Sequence, residues 1–287
     1  MSTVITVGRL SPGDQWDQNL LDRLFSNQLY HTGLEFKRSF GYPNVDGCVL
    51  IIPGRYWHER CNEISEAIHR YDWVLGIRAG DENDQLDPYR IYHHNIRWWV
   101  QTPHAGKDYD GARRFGCGYP PHFNDLPQHD RDIDVFLSGQ NTNPRRQQCF
   151  KALEKVKATK QVEPTPGFTK GMSPAQYALR MCSAKVAPCP AGPKTPDTFR
   201  VYEALEAHTV PIADDITSAY HSAGYWRSLF PDAPFPIFTS YANMPGYVAD
   251  QVEQWPANAN RVTAWWMHQK RAFTRWLLED LEALGAL

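Results

Sequence analysis

Lys185–Asp215 reads KVAPCPAGPKTPDTFRVYEALEAHTVPIADD, and its punctuation decides the fold. Val186 and Ala187 close an apolar run that Pro188, Pro190, Gly192, Pro193 and Pro196 then break. A helical pattern starts near Pro196 or Asp197, since proline is tolerated in a first turn and Thr195 or Asp197 can cap it. The helix should end by His208, because Thr209-Val210-Pro211-Ile212-Ala213 is short, β-branched and apolar. The stretch therefore predicts strand, Gly/Pro loop, helix and second strand. A loop feeding a helix N-terminus presents unpaired N–H groups at the positive end of the dipole, which suits a phosphate. Arg200 and Glu203 lie three apart and share one helix face. One can hold an anion, and the other can accept hydrogen bonds from a pair of sugar hydroxyls. Together they suit a nucleoside diphosphate.

The flanking sequence extends the same alternation. Ile133-Asp134-Val135-Phe136-Leu137 predicts a strand, and Ser138-Gly139-Gln140-Asn141-Thr142-Asn143 leads from it into a helix over about Pro144–Lys157. Gly139 and its neighbours form a second strand-to-helix turn able to approach a ligand. Arg145 or Arg146 falls in the first helical turn, as a diphosphate contact or as a solvated basic pair. Gln161–Gly171 reads as short and turn-rich, and Ser173-Pro174 opens a helix carrying Tyr177, Leu179 and Met181. From Asp215 to Tyr247, prolines and aromatics predict loops and short helices. Trp266, Phe273, Leu277, Leu281 and Leu284 mark a closing amphipathic helix.

The first half also alternates. Val4–Val7 is a first strand, and Asp14–Tyr30 a helix with Trp16, Leu20, Leu21, Leu24, Phe25 and Leu29 at helical spacing. Leu34–Lys37 alternates like a strand. Cys48–Ile52 and Trp73–Ile77 are continuous apolar runs of the kind found in buried parallel strands, with a helix over Tyr56–Arg70 between them. Ile96–Val100 is a further strand. Pro- and Gly-rich sequence from Pro103 to Pro127 predicts an interdomain crossing. The whole reads as α/β.

The residues Thr198-Phe199-Arg200, Tyr202-Glu203-Ala204-Leu205-Glu206-Ala207 and Val210-Pro211-Ile212 resemble the donor-binding motif of exostosin-like glycosyltransferases. His208 departs from that pattern, which has a glycine where positive φ ends the helix. The resemblance implies the GT-B architecture: two Rossmann-like domains facing a cleft, with C-terminal helices crossing back to brace the first domain. On that basis residues 1–128 form an acceptor-side domain, 129–260 a nucleotide-sugar-binding domain, and 261–287 a helix returning to the first. It also implies that Gly139 and Arg145 line the donor cleft, that Glu203 meets the ribose hydroxyls, and that transfer is mostly inverting and independent of metal. Arg145, Lys185, Arg200 and the helix start at Thr198 would then stabilise the leaving diphosphate of UDP or a similar nucleotide without a divalent cation.

Inverting transfer also needs a base for the acceptor hydroxyl. It should lie at the carboxyl end of a first-domain strand, where Asp81 and Glu82 follow Trp73–Arg78. A polar turn in Gly80-Asp81-Glu82-Asn83-Asp84 is the plainer reading, and His104 and Asp108 are reserves. The acceptor stays open at this point. Arg97-Trp98-Trp99, Lys107 and Arg113-Arg114 interleave cations with aromatics, which can hold a nucleic-acid backbone with stacked bases, a sugar, or simply core. Phage enzymes that glycosylate hydroxymethylated cytosine in DNA share the resembled architecture, so a DNA base and a saccharide are the two acceptor classes. A non-catalytic nucleotide- or sugar-binding module, and a sugar-nucleotide epimerase or phosphorylase, are the alternatives to a transferase.

Bulk properties set the outer bounds. A formal charge of −2 gives no global footprint for nucleic acid or an anionic membrane. Six cysteines without a CxxC or regular spacing argue against a zinc site and a disulfide framework and for a reducing compartment. MSTVITVGRL has no long apolar region and no run approaches a membrane span, so the expectation is a soluble cytoplasmic enzyme of bacterial or phage type. Gly192-Pro193-Lys194-Thr195 is not a P-loop, no GxGxxG follows a strand, and no GxSxG occurs. Asp132-Ile133-Asp134 spells the DxD of a different glycosyltransferase fold but sits at a strand mouth after an acidic loop, where a solvated turn is expected. His93-His94, His104, His122 and His129 lack the spacing of a helix-borne metal pair.

Overall fold

A computed structural model describes residues 2–6, 12–29, 36–39, 41–83, 91–104, 106–167, 170–217 and 223–287. The chain divides into two compact units, Met1–Cys117 with Gln269–Leu287, and Gly118–His268. No helix among the described residues is long and apolar enough to cross a membrane.

The first unit runs β1 (Ser2–Thr6), α1 (Pro12–Leu29), β2 (Phe36–Ser39), β3 (Gly47–Pro53), α2 (Gly54–Ile68), β4 (Trp73–Ala79), β5 (Ile96–Gln101) and β6 (Arg113–Phe115). These strands form one parallel sheet in the order β2-β1-β3-β4-β5-β6. β3 and β4 are buried along their full length, as continuous apolar strands of a covered parallel sheet must be. Gly76 leaves room for the Trp98 ring, since a Cβ there would stand 2.5 Å from it. Of the expected strands at Val4–Val7 and Leu34–Lys37, Val7, Leu34 and Glu35 lie outside the described residues.

Two stretches of this half carry more than their sequence showed. The Pro103–Pro127 stretch is not only a crossing, because β6 pairs there with Trp99–Gln101 and is too short to show a period. Of the readings open for the interleaved cations and aromatics, core holds for the aromatics and Arg113 is engaged, while Arg97, Lys107 and Arg114 are exposed. Trp98 and Trp99 are buried, and Trp99 Nε1 donates to Asp280 Oδ2 at 2.7 Å. Arg113 bridges Glu279 at 2.7 Å and Asp280 at 3.5 Å, with its guanidinium over the Trp276 ring. This face packs the end of the chain.

The second unit runs β7 (Ile133–Gln140), α3 (Pro144–Glu154), β8 (Lys160–Thr165), α4 (Pro174–Cys182), β9 (Ala184–Cys189), α5 (Phe199–Glu206), β10 (Val210–Asp214), α6 (Tyr225–Leu229), β11 (Ile237–Phe238), α7 (Met244–Glu253) and α8 (Ala257–Ala283). Its parallel sheet has the order β11-β10-β9-β7-β8. The core joins Val135, Leu137, Val186, Ile212 and Phe238 of the sheet to Cys149 and Leu153 of α3 and Met244 and Val248 of α7. Asn143 caps α3 by accepting from Arg146 N at 3.0 Å, and Ser173 and Gln176 form a reciprocal capping box on α4. His208 ends α5 in the left-handed region, φ +57°, the conformation a glycine would have supplied.

β8 was not expected, because Gln161–Gly171 read as turns. It is an edge strand of sequence KQVEPT, only partly buried, and its charges and proline carry no apolar period. Leu179 is exposed, whereas Tyr177 and Met181 turn inward. Trp266, Phe273, Leu277, Leu281 and Leu284 are all buried, and α8 contributes its residues to His268 to the second unit and those from Gln269 to the first.

Candidate functional site

Within the second unit the first strand, β7, has β8 on one side and β9, β10 and β11 on the other. The chain therefore reverses its direction across the sheet between β7 and β9. The connections that follow these two strands leave in opposite directions, which opens a crevice at their carboxyl ends, the place where open α/β sheets take ligands.

The connection after β9 is compact. Asp197 N donates to Thr195 Oγ1 at 3.1 Å, and Tyr202 Oη donates to Asp197 Oδ1 at 2.9 Å. A Cβ on Gly192 would come within 3.0 Å of the Thr195 carbonyl oxygen, so the chain folds closely over itself here. Thr198 is the extended N-cap of α5, and its side chain makes no capping bond. Two residues on, Arg200 Nη2 donates across the crevice to the Ser138 carbonyl oxygen on β7 at 2.9 Å. The absence of a side chain at Gly139 admits it, because a Cβ there would collide with Arg200 Nη2. Among the described residues, Arg200 Nε is buried without a partner.

Glu203 lies one turn along the same helix, 6% exposed, and its Oε2 accepts from Tyr177 Oη at 2.7 Å. The Tyr177 ring packs beside Phe136 and Phe123, with centroids at 5.5 and 5.9 Å. Burial raises the Glu203 carboxyl above its usual range, although the Arg200 charge and the Tyr177 hydrogen bond both act to lower it. Burial and the neighbouring Glu203 charge push the Tyr177 phenol well above its ordinary value. The structure thus brings Gly139, Thr198, Arg200 and Glu203 together, and it adds Tyr177.

Arg145 reaches the same edge of the sheet from the first turn of α3, but it is engaged. Nε donates to Asp214 Oδ2 at 3.0 Å, Nη2 to Asp214 Oδ1 and, at 3.3 Å, to the Thr239 carbonyl oxygen. Its guanidinium lies 4.5 Å from the Tyr241 ring centroid. Although burial works against the cation, the bonds and charge of Asp214 raise the Arg145 pKa. Asp214 and Tyr241 were not singled out in the sequence. The available signal was a pair of aspartates, Asp214-Asp215, ending an apolar strand at its carboxyl end. Asp215 takes another task there, accepting from the backbone N–H groups of Gly224 and Trp226 at the start of α6.

Lys185 is not brought to this edge. It is the second residue of β9, level with Asp134, the second residue of β7, and the two form an ion pair at 2.7 Å. Four residues of strand, about 13 Å, separate it from Cys189 at the carboxyl end. Asp134 also accepts from Thr159 N at 2.9 Å, so the DxD carboxylate nearest the sheet serves strand pairing. Asp132 is exposed.

In the first unit, Asp81 and Glu82 follow β4 and differ sharply. Asp81 is buried beside Arg78, itself fully buried, with Nη1 3.7 Å from Oδ2. It packs so closely on the start of α2 that a Cβ on Gly54 would lie 2.6 Å from its own Cβ. Glu82 is exposed, and its backbone carbonyl oxygen is 3.2 Å from His104 Nε2. Asp108 is exposed and accepts from Asp110 N at 3.0 Å. Among the described residues, no three His, Cys, Asp or Glu side chains are grouped to hold a metal ion.

No protein-family model matches the chain, and no curated protein matches it. Among solved structures, the chain is similar to a crystal structure of an alpha1,3-fucosyltransferase with GDP. The TM-score is 0.37 and the sequence identity 13%, over 91% of this chain and 80% of that one.

Proposed function

We propose that the second unit binds the nucleoside diphosphate of a sugar donor, and that the protein is a glycosyltransferase moving that sugar to an acceptor hydroxyl. The observation that carries the reading is the Arg200–Ser138 hydrogen bond across the β7/β9 crevice, with Glu203 on the same face one turn later. A guanidinium in the first turn of a helix adds a full charge to the helix's own positive end. Both would act on the negative charge that builds on a departing diphosphate. Glu203, held by Tyr177, accepts from the ribose hydroxyls. The exostosin-like pattern at Thr198–Ile212 assigns the same two residues to the donor.

With Arg200 and the helix end supplying positive charge, the reading requires no divalent cation. Glu82 is the better base of the two first-unit carboxylates, because it is exposed while Asp81 is committed to Arg78. The acceptor classes are a saccharide hydroxyl and the hydroxymethyl group of a modified DNA base.

The test is release of nucleoside diphosphate from UDP-, GDP- and dTDP-sugars, with and without each acceptor class. Turnover by the wild type that falls about a hundredfold or more in Arg200→Ala supports the reading. Turnover that Arg200→Ala and Glu203→Gln both retain would sink it.

A further inference from the structure

Asp214 ends β10 with no exposure to solvent. Among the described residues it accepts from Arg145 Nε and Nη2, Ala191 N at 3.3 Å, Ile216 N at 3.2 Å and Tyr241 Oη at 2.6 Å. Arg145 follows β7, Ala191 follows β9, Ile216 follows β10 and Tyr241 follows β11. A single carboxylate therefore ties together the connections leaving four of the five strands. A buried carboxylate is tolerated only when donors saturate it, and here the donors come from those four connections.

The same bonds fix what Arg145 can do. Nε and Nη2 form one of the two edges with which a guanidinium grips a phosphate in two parallel bonds, and Asp214 already occupies it, while Nη1 donates to Gln148 Oε1 at 3.4 Å. Tyr241 covers one face of the plane. We propose that Asp214 is the positioning residue of the donor site, taking up the charge of Arg145 and pinning the rim, so that Arg200 is the guanidinium that meets the anion. The proposal rests on the nucleoside-diphosphate reading and departs from the part that the exostosin-like resemblance implies for Arg145.

The test compares the affinities of UDP and GDP with those of uridine and guanosine, taken as a ratio so that general damage cancels. Asp214→Asn releases the Arg145 charge and should raise the diphosphate-over-nucleoside ratio about threefold, the scale of one unit charge acting through a solvent-like dielectric. Arg145→Met leaves the Asp214 charge unmatched and should lower the ratio by a similar factor. The double variant should return to the wild-type ratio. If Arg145 itself grips the anion, the double variant has lost that grip and stays well below the wild-type ratio, and the proposal fails. If Asp214→Asn weakens diphosphate and nucleoside alike, the charge assignment fails as well.

A second measurement needs no ligand. Amide hydrogen exchange at Ala191 or Ile216 should quicken at least about tenfold in Asp214→Asn, because the two amides bond different carboxylate oxygens and asparagine keeps only one acceptor oxygen. Unchanged protection at both amides would overturn the proposal. If the wild type bound no nucleotide while either amide still quickened, the donor reading alone would fall. Should Asp214→Asn not fold, Arg145→Lys against Arg145→Met decides, because lysine restores a counter-charge but not a bidentate phosphate grip. A ratio restored by lysine supports the proposal, and one that lysine leaves low contradicts it.

Discussion

Arg200 and Gly139 are neighbours across the strand reversal of the second sheet. The guanidinium lies where a side chain at 139 would be, and it donates to the carbonyl oxygen of the preceding residue, Ser138. A side chain at 139 would force the arginine tip to shift from its bond to β7. The glycine therefore belongs to the proposed donor site through the space it leaves.

Gly139→Ala should displace the Arg200 tip and break its bond to Ser138. The expected loss is about 1 kcal/mol of stability, the net worth of one hydrogen bond. Nucleoside-diphosphate affinity should fall about tenfold or more. Chemical denaturation and calorimetric titration on the same variant check both. An unchanged affinity would show that Arg200 can reach the ligand without its seat on β7.

Glu203 predicts a pH signature. Burial raises its folded-state pKa above the ordinary 4.5, so the folded protein binds more protons than the unfolded chain between those two values. Its contribution to stability is therefore full below pH 4.5 and is lost as pH rises through the raised folded-state value. Glu203→Gln removes this titration. The stability of the variant relative to wild type should rise from pH 4 to pH 8, and denaturation curves at each pH measure it. A difference that stays flat with pH would mean that Glu203 titrates normally.

His208 carries backbone strain that a glycine relieves. At φ +57° a side chain with a Cβ costs roughly 1 kcal/mol relative to glycine. His208→Gly should stabilise the protein by about 0.5–1 kcal/mol and raise Tm by about 2–4 °C. His208→Ala, which keeps the Cβ, should give no such gain. Differential scanning calorimetry of the pair separates relief of strain from loss of the imidazole.

The two first-unit carboxylates should part company on substitution. Glu82→Gln should leave stability within about 0.5 kcal/mol, as for an ordinary exposed position, while lowering kcat about a hundredfold or more if it is the base. Asp81→Asn should cost about 2 kcal/mol or more, because it strips the buried Arg78 of a counter-charge. Steady-state kinetics beside denaturant melts distinguishes them. The reverse pattern would move the base to Asp81.

Much of this was legible because interior parallel strands leave a strong trace. Cys48–Ile52, Trp73–Ile77 and Val210–Ala213 are unbroken apolar runs, and all are buried strands. β6 and β8 left no trace, because sheet edges keep charges and prolines that erase the apolar period. In the site, Arg200 and Glu203 could be paired because helical spacing puts residues three apart on one face. Asp214 could not be found that way. Its partners stand at 145, 191, 216 and 241, and only the sheet brings them together. Lys185 shows the converse: it precedes the Gly/Pro loop by only a few residues in sequence, yet a strand's length carries it to the opposite edge.

The most direct measurement is calorimetric titration of UDP and GDP into wild type, Arg200→Ala and Glu203→Gln. The account predicts that one of the two nucleotides binds the wild type, and that Arg200→Ala weakens it at least about tenfold, more than 1.4 kcal/mol. Glu203→Gln should reduce the preference for that nucleotide over its 2′-deoxy form. A wild type that binds neither nucleotide, or an Arg200→Ala that binds as tightly as the wild type, would contradict the placement of the donor at the β7/β9 crevice.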